Sequence, residues 1–385
     1  MNKNYQDKFS TEIILIAEFF DPKINSTGLY WYSIAKELAK KTKVTILSPH
    51  IDKSLESIGC NIKEVKSKNS FFSKILPSKL LIFLNIFSAS KTLEFRNSKV
   101  LIGTNPYLLP LIISYIKIKK PKTLNLLCYD LFPANISLQS NFFIRTIFRI
   151  LSFAFSYAYK SCDKVIAVGR DMKSKLIELN YGDSDSIIYI PNWAEKSRMF
   201  QIQESNNDKK KIKILFFGNF GRFQAIPEIL NQISNVNNDN VEFLFAGSGE
   251  KEKLIKKAAL NDSRIIFLGK ISMEEKDNIY ARTDLSIVSI KNGMRGLCVP
   301  SKAYFSLINS HPIICFVEKN SELDYLCKDY NCGWVADLIN KNALNNLIEK
   351  FSWDEFNIKF KNTESIPKSL LNGEDSLKKI TELMI

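Results

Sequence analysis

The stretch Gly218-Asn219-Phe220-Gly221-Arg222-Phe223-Gln224 puts two glycines, two side-chain amides and a guanidinium between an apolar run at 213–217 and the segment AIPEILNQI, whose apolar residues recur at helical spacing. A glycine-bearing loop between a buried strand and a helix is where α/β proteins hold phosphate. The stretch has neither the GxGxxG fingerprint nor a P-loop lysine. Two more loops carry related chemistry. AGSGE (246–250) offers Gly247, Ser248 and Gly249 after another apolar run. NGMRGLCVPSK (292–302) offers Arg295, Gly296, Pro300, Ser301 and Lys302 just ahead of the helical segment YFSLINS. A hydroxyl, an ammonium and free backbone amides at a helix start suit a phosphate. The same residues also suit a plain cap by Ser301 beside a solvated Lys302. Nearer the start, Ser26, Thr27 and Gly28 close a loop before a helix, either to admit a ligand to the backbone or to cap that helix. Asp130 ends the run TLNLLCYD before LFP, as a ligand-facing carboxylate or as a turn-forming Asp-x-x-Pro.

The elements that must position these residues follow a repeated rhythm. Strand candidates at 12–20, 43–50, 99–105, 123–130 and 164–172 are apolar runs ending in polar or glycine turns, with helical segments between them. Such runs read as parallel strands buried on both faces. The segment 201–211, QIQESNNDKKK, has no apolar period and reads as a linker. After it the rhythm restarts at 213–219, 242–249, 264–270, 284–290, 311–317 and 333–337. The expected organisation is a first Rossmann-like domain over 1–198, a linker over 199–211, a second over 212–365, and a terminal segment over 366–385 whose helix folds back toward the first. Ligands of such sheets bind at the carboxyl ends of the strands, so the cleft between the halves is the expected site.

Composition narrows the chemistry. A chain of 385 residues, 45% hydrophobic, suits two globular domains. Two histidines, His50 and His311, leave little room for histidine-based catalysis. Seven cysteines form no CxxC pair and the two histidines have no ligand spacing, so no structural zinc is expected. The opening MNKNYQDKFSTE lacks an apolar core, and no run reaches spanning length, which points to a cytoplasmic protein. The net charge of +14 favours anionic partners, and no nucleic-acid motif accompanies it. The segments 70–91 and 141–161 mix Phe, Leu and Ile with basic residues, including Arg145 and Arg149 on one helix face. They read either as core helices or as a face for an anionic membrane surface.

In order and spacing, EFFDPKINSTG, CYDLFP, KVIAVGRDM, IPNW, FFGNFGRFQ, FAGSGEKEKL, FLGKISMEE and VPSKAYFSLINSHPII resemble the GT-B glycosyltransferases, in particular the retaining family-4 type that builds bacterial surface polysaccharides. The resemblance spans nearly the whole chain. It implies an α/β fold of two Rossmann-like domains with parallel sheets facing across a cleft. It implies a nucleotide-sugar donor on the second domain, held by Gly218, Asn219, Gly221, Gln224, Gly247, Ser248, Gly249, Pro300 and Ser301, with no obligatory metal or cofactor. A lipid-linked acceptor, typically a polyprenyl-diphosphate saccharide, would lie on the first, near Ser26, Thr27, Gly28 and Asp130. The common pattern has an arginine where Asn219 stands and a lysine where Gln224 stands, so Arg222 and Lys302 are expected to supply the diphosphate cations. The usual pair of glutamates eight apart is missing from GLCVPSKAYFSLINS, where Ser301 and Lys302 are expected to act instead. The expected role is assembly of O-antigen, capsule or exopolysaccharide at the inner face of the cytoplasmic membrane. The competing readings are a GT-B-like epimerase or phosphorylase, and a basic protein that binds lipid or another polyanion without turnover.

Overall fold

A computed structural model describes residues 11–65, 77–134, 142–195 and 211–385. The chain divides into two compact units, Met1–Pro191 with Gly296–Val299 and Asp375–Ile385, and Asn192–Arg295 with Pro300–Glu374.

Unit 1 carries β1 (Ile13–Ile16), β2 (Phe19–Phe20), β3 (Val44–Ser48), β4 (His50–Ile51), β5 (Asn61–Glu64), β6 (Lys99–Gly103), β7 (Thr123–Cys128), β8 (Lys164–Ala167) and β9 (Ile187–Tyr189). Seven of them form a parallel sheet in the order β5-β3-β1-β6-β7-β8-β9, while β2 pairs with β4. Every residue of β1 and β3 is buried, as strands covered on both faces must be. The run expected as one strand at 12–20 is broken, because the chain leaves the main sheet after Ile16 and pairs again only at Phe19. The helix Ser26–Ala39 buries Leu29, Tyr30, Trp31, Ile34, Ala35 and Leu38. That set, spaced by one, three and four residues, is the apolar stripe of an amphipathic helix.

Unit 2 carries β10 (Ile212–Asn219), β11 (Val241–Ser248), β12 (Ile265–Gly269), β13 (Leu285–Ser289), β14 (Ile313–Phe316) and β15 (Gly333–Ala336). They form one parallel sheet in the order β12-β11-β10-β13-β14-β15. Alternation along β10 sends Ile212, Ile214 and Phe216 into one core cluster and Leu215 with Phe217 into another. The terminal helix Glu374–Met384 groups with unit 1 from Asp375 onward. The linker expected at 199–211 lies outside the described residues except for Lys211, as do 70–76 of the first basic segment and the side chain of Arg145.

Candidate active site

In unit 2 the strand order reverses between β10 and β13. Connections leave that point in opposite directions and open a crevice at the carboxyl ends, the usual ligand position of such sheets. The loop 218–224 leaves β10, and the loop 292–302 follows β13. Two bonds tie this corner together: the Ser289 hydroxyl donates to the Gln224 carbonyl at 2.6 Å, and the Lys291 amide donates to the Phe223 carbonyl at 2.9 Å.

Phe220 pins the first loop. It is fully buried, with its ring 5.9 Å from Phe216 and 6.3 Å from Phe245. Burial of such a side chain contributes about 2 kcal/mol. Its backbone adds two bonds: its amide donates to the Ser248 carbonyl, and its carbonyl accepts from the Lys251 amide. The strand ends are in register, Gly218 beside Gly247 and Asn219 beside Ser248. Both glycines are required. Gly218 has φ +106, and a Cβ there would press on the Lys302 stem at 3.2 Å. Gly247 has φ +145, and a Cβ would meet the Gly218 carbonyl at 1.9 Å. Gly249 lies against Asn219 and Phe220, and Gly221 against the side chains of Gln224 and Asn219.

Lys302 opens the helix Lys302–Ile308. Its stem crosses the bare Cα of Gly218, and its ammonium donates to the Asn219 carbonyl at 2.9 Å. The ammonium also lies 4.1 Å from the centre of the Phe216 ring. The residue keeps some surface in solvent, but these neighbours strip water from the charge, and burial pushes it down to about 7. Ser301 is in a helical conformation and makes no cap hydrogen bond, which removes the cap reading for it. Pro300 precedes it, at the start of the second stretch of unit 2. The amide oxygen of Gln224 is buried and has no hydrogen-bond partner among the described residues.

The expected second cation sits elsewhere in this corner. Arg222 is exposed and pairs with Glu250 of the neighbouring loop at 2.8 Å. Hydrogen bonding to Arg222 first, and to Lys251 second, holds the Glu250 carboxyl below its usual range. Thus Lys302, Gly218, Asn219, Gly247, Ser248 and Gly249 come together, while the described contacts of Arg222 are to Glu250.

In unit 1 the order reverses between β1 and β6. The Glu18 amide donates to the Asn105 carbonyl across that point at 3.1 Å. The Asn105 side chain in turn donates to the Asp130 carboxylate at 3.2 Å. Burial pushes the Asp130 carboxyl up, and the Asn105 bond pulls it partly back. The backbone of Asp130 bridges to Cys298, and the Leu131 amide donates to the Leu297 carbonyl. Ser26 and Thr27 lie in the first helical turn, but the cap is Asn25, whose side chain accepts from the Gly28 amide at 2.8 Å. The room left by Gly28 is filled by the Asp21 carbonyl, 2.1 Å from where a Cβ would stand. His311 is buried between the Ser286 hydroxyl and the Tyr280 carbonyl, a structural setting. Among the described residues, no group of three His, Cys, Asp or Glu could hold a metal ion.

Sequence reasoning missed Asn25, Asn105, Ser289 and Lys276. Asn25 acts by a local cap bond, while Asn105 and Ser289 act by hydrogen bonds to residues distant in sequence, Asp130 and Gln224. Lys276 lies in the polar run MEEKDN, which reads as solvated surface, and its burial is purely tertiary.

Two Rossmann-like halves, each a parallel sheet whose strand order reverses at a switch point, are the architecture of the GT-B glycosyltransferases. The family description "Glycosyl transferases group 1" matches residues 197–364. A protein of Pseudomonas aeruginosa described as a probable glycosyltransferase, WbjE, is 30% identical over 362 residues, covering 88% of each chain. The chain belongs to the group 1 glycosyltransferases, and it is an enzyme of that kind. Among solved structures, Anabaena HepE in complex with UDP and glucose aligns over 97% of this chain and 99% of its own, with TM-score 0.67 and 13% identity. WaaG, a glycosyltransferase involved in lipopolysaccharide biosynthesis, aligns over the same shares with TM-score 0.68 and 10% identity. At those identities the likeness is one of fold.

Proposed function

We propose that this enzyme moves a sugar from a nucleoside-diphosphate donor, held at the β10–β13 corner of unit 2, to a lipid-linked saccharide during assembly of a bacterial surface polysaccharide. The observation that carries the reading is Lys302, a partly desolvated ammonium laid across a glycine strand end at the topological switch point. Two proteins of like fold agree in kind, one solved with UDP and glucose and one involved in lipopolysaccharide biosynthesis.

In this reading Gly218, Asn219, Gly221, Gly247, Ser248 and Gly249 let the diphosphate approach backbone amides, with Pro300 and Ser301 bordering it. The free amide oxygen of Gln224 accepts from a donor hydroxyl. As the bond between the anomeric carbon and the phosphate oxygen breaks, negative charge grows on the leaving group, and the Lys302 ammonium stabilises it there. The acceptor oxygen bonds to the anomeric carbon on the same face, and its proton passes to the leaving phosphate oxygen, giving retention without a metal. Arg222 would join the site by exchanging Glu250 for phosphate. On unit 1, Asp130 and the turn at Ser26, Thr27 and Gly28 border the acceptor. The helix Phe142–Lys160 faces anionic lipid on the cytoplasmic side. Among the described residues no helix is long and apolar enough to cross a membrane, so attachment in this reading is peripheral.

The test is a thermal-shift panel with UDP, GDP, ADP, CMP and inorganic phosphate on wild type and Lys302→Ala. One nucleoside diphosphate should stabilise the wild type, by about 2.7 kcal/mol at a hundredfold excess over Kd. The shift should be lost in the variant. A folded wild type that responds to none of them contradicts the donor site and favours the lipid-binding alternative.

A further inference from the structure

The net charge of the chain is distributed very unevenly. The stretch 65–162 holds 14 Lys and Arg against two acids, Glu94 and Asp130. Its surplus of 12 makes up most of the +14 of the whole chain, so the remaining residues together are close to neutral. That stretch supplies β6, β7 and the helices Ser78–Ser90, Ile112–Ile118 and Phe142–Lys160, and none of the three helices has an acidic residue. The connections from β5 to β6, β6 to β7 and β7 to β8 all run the same way along the sheet order. Right-handed crossovers in one direction put their helices on one face of a sheet. The contacts agree. Phe87 of the first helix meets Tyr115 of the second edge-on at 5.5 Å, and the second packs against the third.

The helix Ser78–Ser90 is more apolar than its place in unit 1 requires. Leu80, Leu81, Ile82, Phe83 and Leu84 are consecutive, and five residues exceed one turn of 3.6. They therefore point all round the helix, and a helix apolar all round belongs in a core or in lipid. Yet Ile86 and Ser90 are the residues it buries. Leu84 is 41% exposed, and Leu80, Leu81, Ile82, Phe83 and Phe87 are partly exposed. On the neighbouring helix Ile118, three residues beyond Tyr115, is 77% exposed. Cations stand beside this surface. The Lys91 ammonium lies 4.7 Å from the centre of the Phe87 ring, and that of Lys119 lies 5.3 Å from the Tyr115 ring. Lys120 and Lys122 are exposed next to them. Lys79 and Lys117 already have acidic partners, Glu18 and Asp163.

We propose that the helix Ser78–Ser90 lies in the headgroup boundary of an anionic bilayer, with Leu84 and Ile118 in the acyl layer and Lys91, Lys119 and Lys120 at the lipid phosphates. A helix of 13 residues is about 20 Å long, which suits lying in the boundary rather than crossing it. The chemistry favours lipid over a protein partner. The apolar side chains need a non-aqueous neighbour, the lysines need an anionic one, and an anionic bilayer supplies both in adjoining layers. The proposal rests on the peripheral attachment read above, and it adds a second contact element and the side chains that insert.

Cosedimentation with vesicles of phosphatidylglycerol and phosphatidylcholine in equal parts, and of phosphatidylcholine alone, compares wild type with Leu84→Ser and Ile118→Ser. Wild type should bind the anionic vesicles and leave the neutral ones largely free. Each substitution should weaken anionic binding roughly tenfold, the worth of one apolar side chain moved from lipid to water. The melting temperature without vesicles should not change, since both side chains face solvent. Leu84→Trp reads depth directly: lipids brominated on their acyl chains should quench its fluorescence beyond that of the wild type. Equal binding by wild type and both serine variants, or no added quenching in Leu84→Trp, keeps this helix in water and overturns the proposal, leaving the contact through Phe142–Lys160 to stand alone. A wild type that binds neither vesicle fails that attachment and this one together. A wild-type dimer that Leu84→Ser dissociates, with vesicle binding intact, assigns the surface to a second copy of the chain and also overturns it.

Discussion

Lys302 is where residue-level electrostatics bears most directly on function. Its ammonium is pushed from 10.5 to about 7 by burial, so at pH 8 the ligand-free protein holds it mostly neutral. A diphosphate beside it favours the charged form. Binding at pH 8 should therefore take up close to one proton, and affinity should fall as pH rises above about 7. Calorimetry in buffers of different ionisation enthalpy reads that uptake directly. No uptake would separate Lys302 from the ligand. Linkage to folding has a definite sign. The unfolded chain binds the proton up to 10.5 and the folded chain only to about 7. Between those values the unfolded state holds more protons, so this residue makes stability rise with pH across that window and fall toward its lower end. Lys302 and the glycines around it could be singled out from sequence, because strand-end loops carry a local signature. Lys276 could not, because nothing in MEEKDN distinguishes a solvated lysine from one closed in by two distant aromatic rings.

At the scale of elements, the helix Phe142–Lys160 has a buried side and an exposed side. Phe155, Ala158 and Tyr159 are buried, as core residues should be. Phe142, Phe153 and Tyr157 are 86%, 82% and 62% exposed, and Thr146, Arg149 and Lys160 are exposed with them. These six residues follow one another at intervals of four, three, four, four and three, so they form one outward stripe that carries three aromatic and two basic side chains. The helix has no acidic residue. The proposed lipid contact predicts that Phe142→Ser with Phe153→Ser leaves folding stability within about 0.5 kcal/mol, since both rings face water. Cosedimentation with anionic phospholipid vesicles should fall by roughly tenfold per ring. Undiminished binding would remove this stripe from the membrane account. The strands were legible because burial on both faces writes an apolar run. The exceptions are physical: β5, NIKE, is an edge strand with mostly exposed residues, and β9 is only three residues long. The break after Ile16 was hidden because β1 and β2 are both apolar, and only pairing partners tell them apart.

For the whole molecule, the repeated strand–helix rhythm foretold two parallel α/β halves, and the structure has them. The order of strands within each sheet could not be read, since parallel strands of similar composition carry no mark of their neighbours. That order is what puts the loops after β10 and β13 at one crevice. The net charge of +14 adds a separate expectation. Vesicle binding should weaken from low salt to 0.5 M salt, where screening lengths shrink to a few ångströms. Binding indifferent to salt would mean that charge plays no part.

The central claim is transfer from a nucleoside-diphosphate sugar by a site built around Lys302. Mass spectrometry of lipid-linked saccharides, incubated with the enzyme and a panel of nucleotide sugars, tests it most directly when Lys302→Ala is run beside the wild type. The wild type should yield an acceptor heavier by one sugar. The variant should lose at least about a hundredfold in rate, on the order of one strong charge interaction in the transition state, while vesicle binding stays unchanged. Undiminished transfer by Lys302→Ala, or equal loss of transfer and vesicle binding, would contradict it.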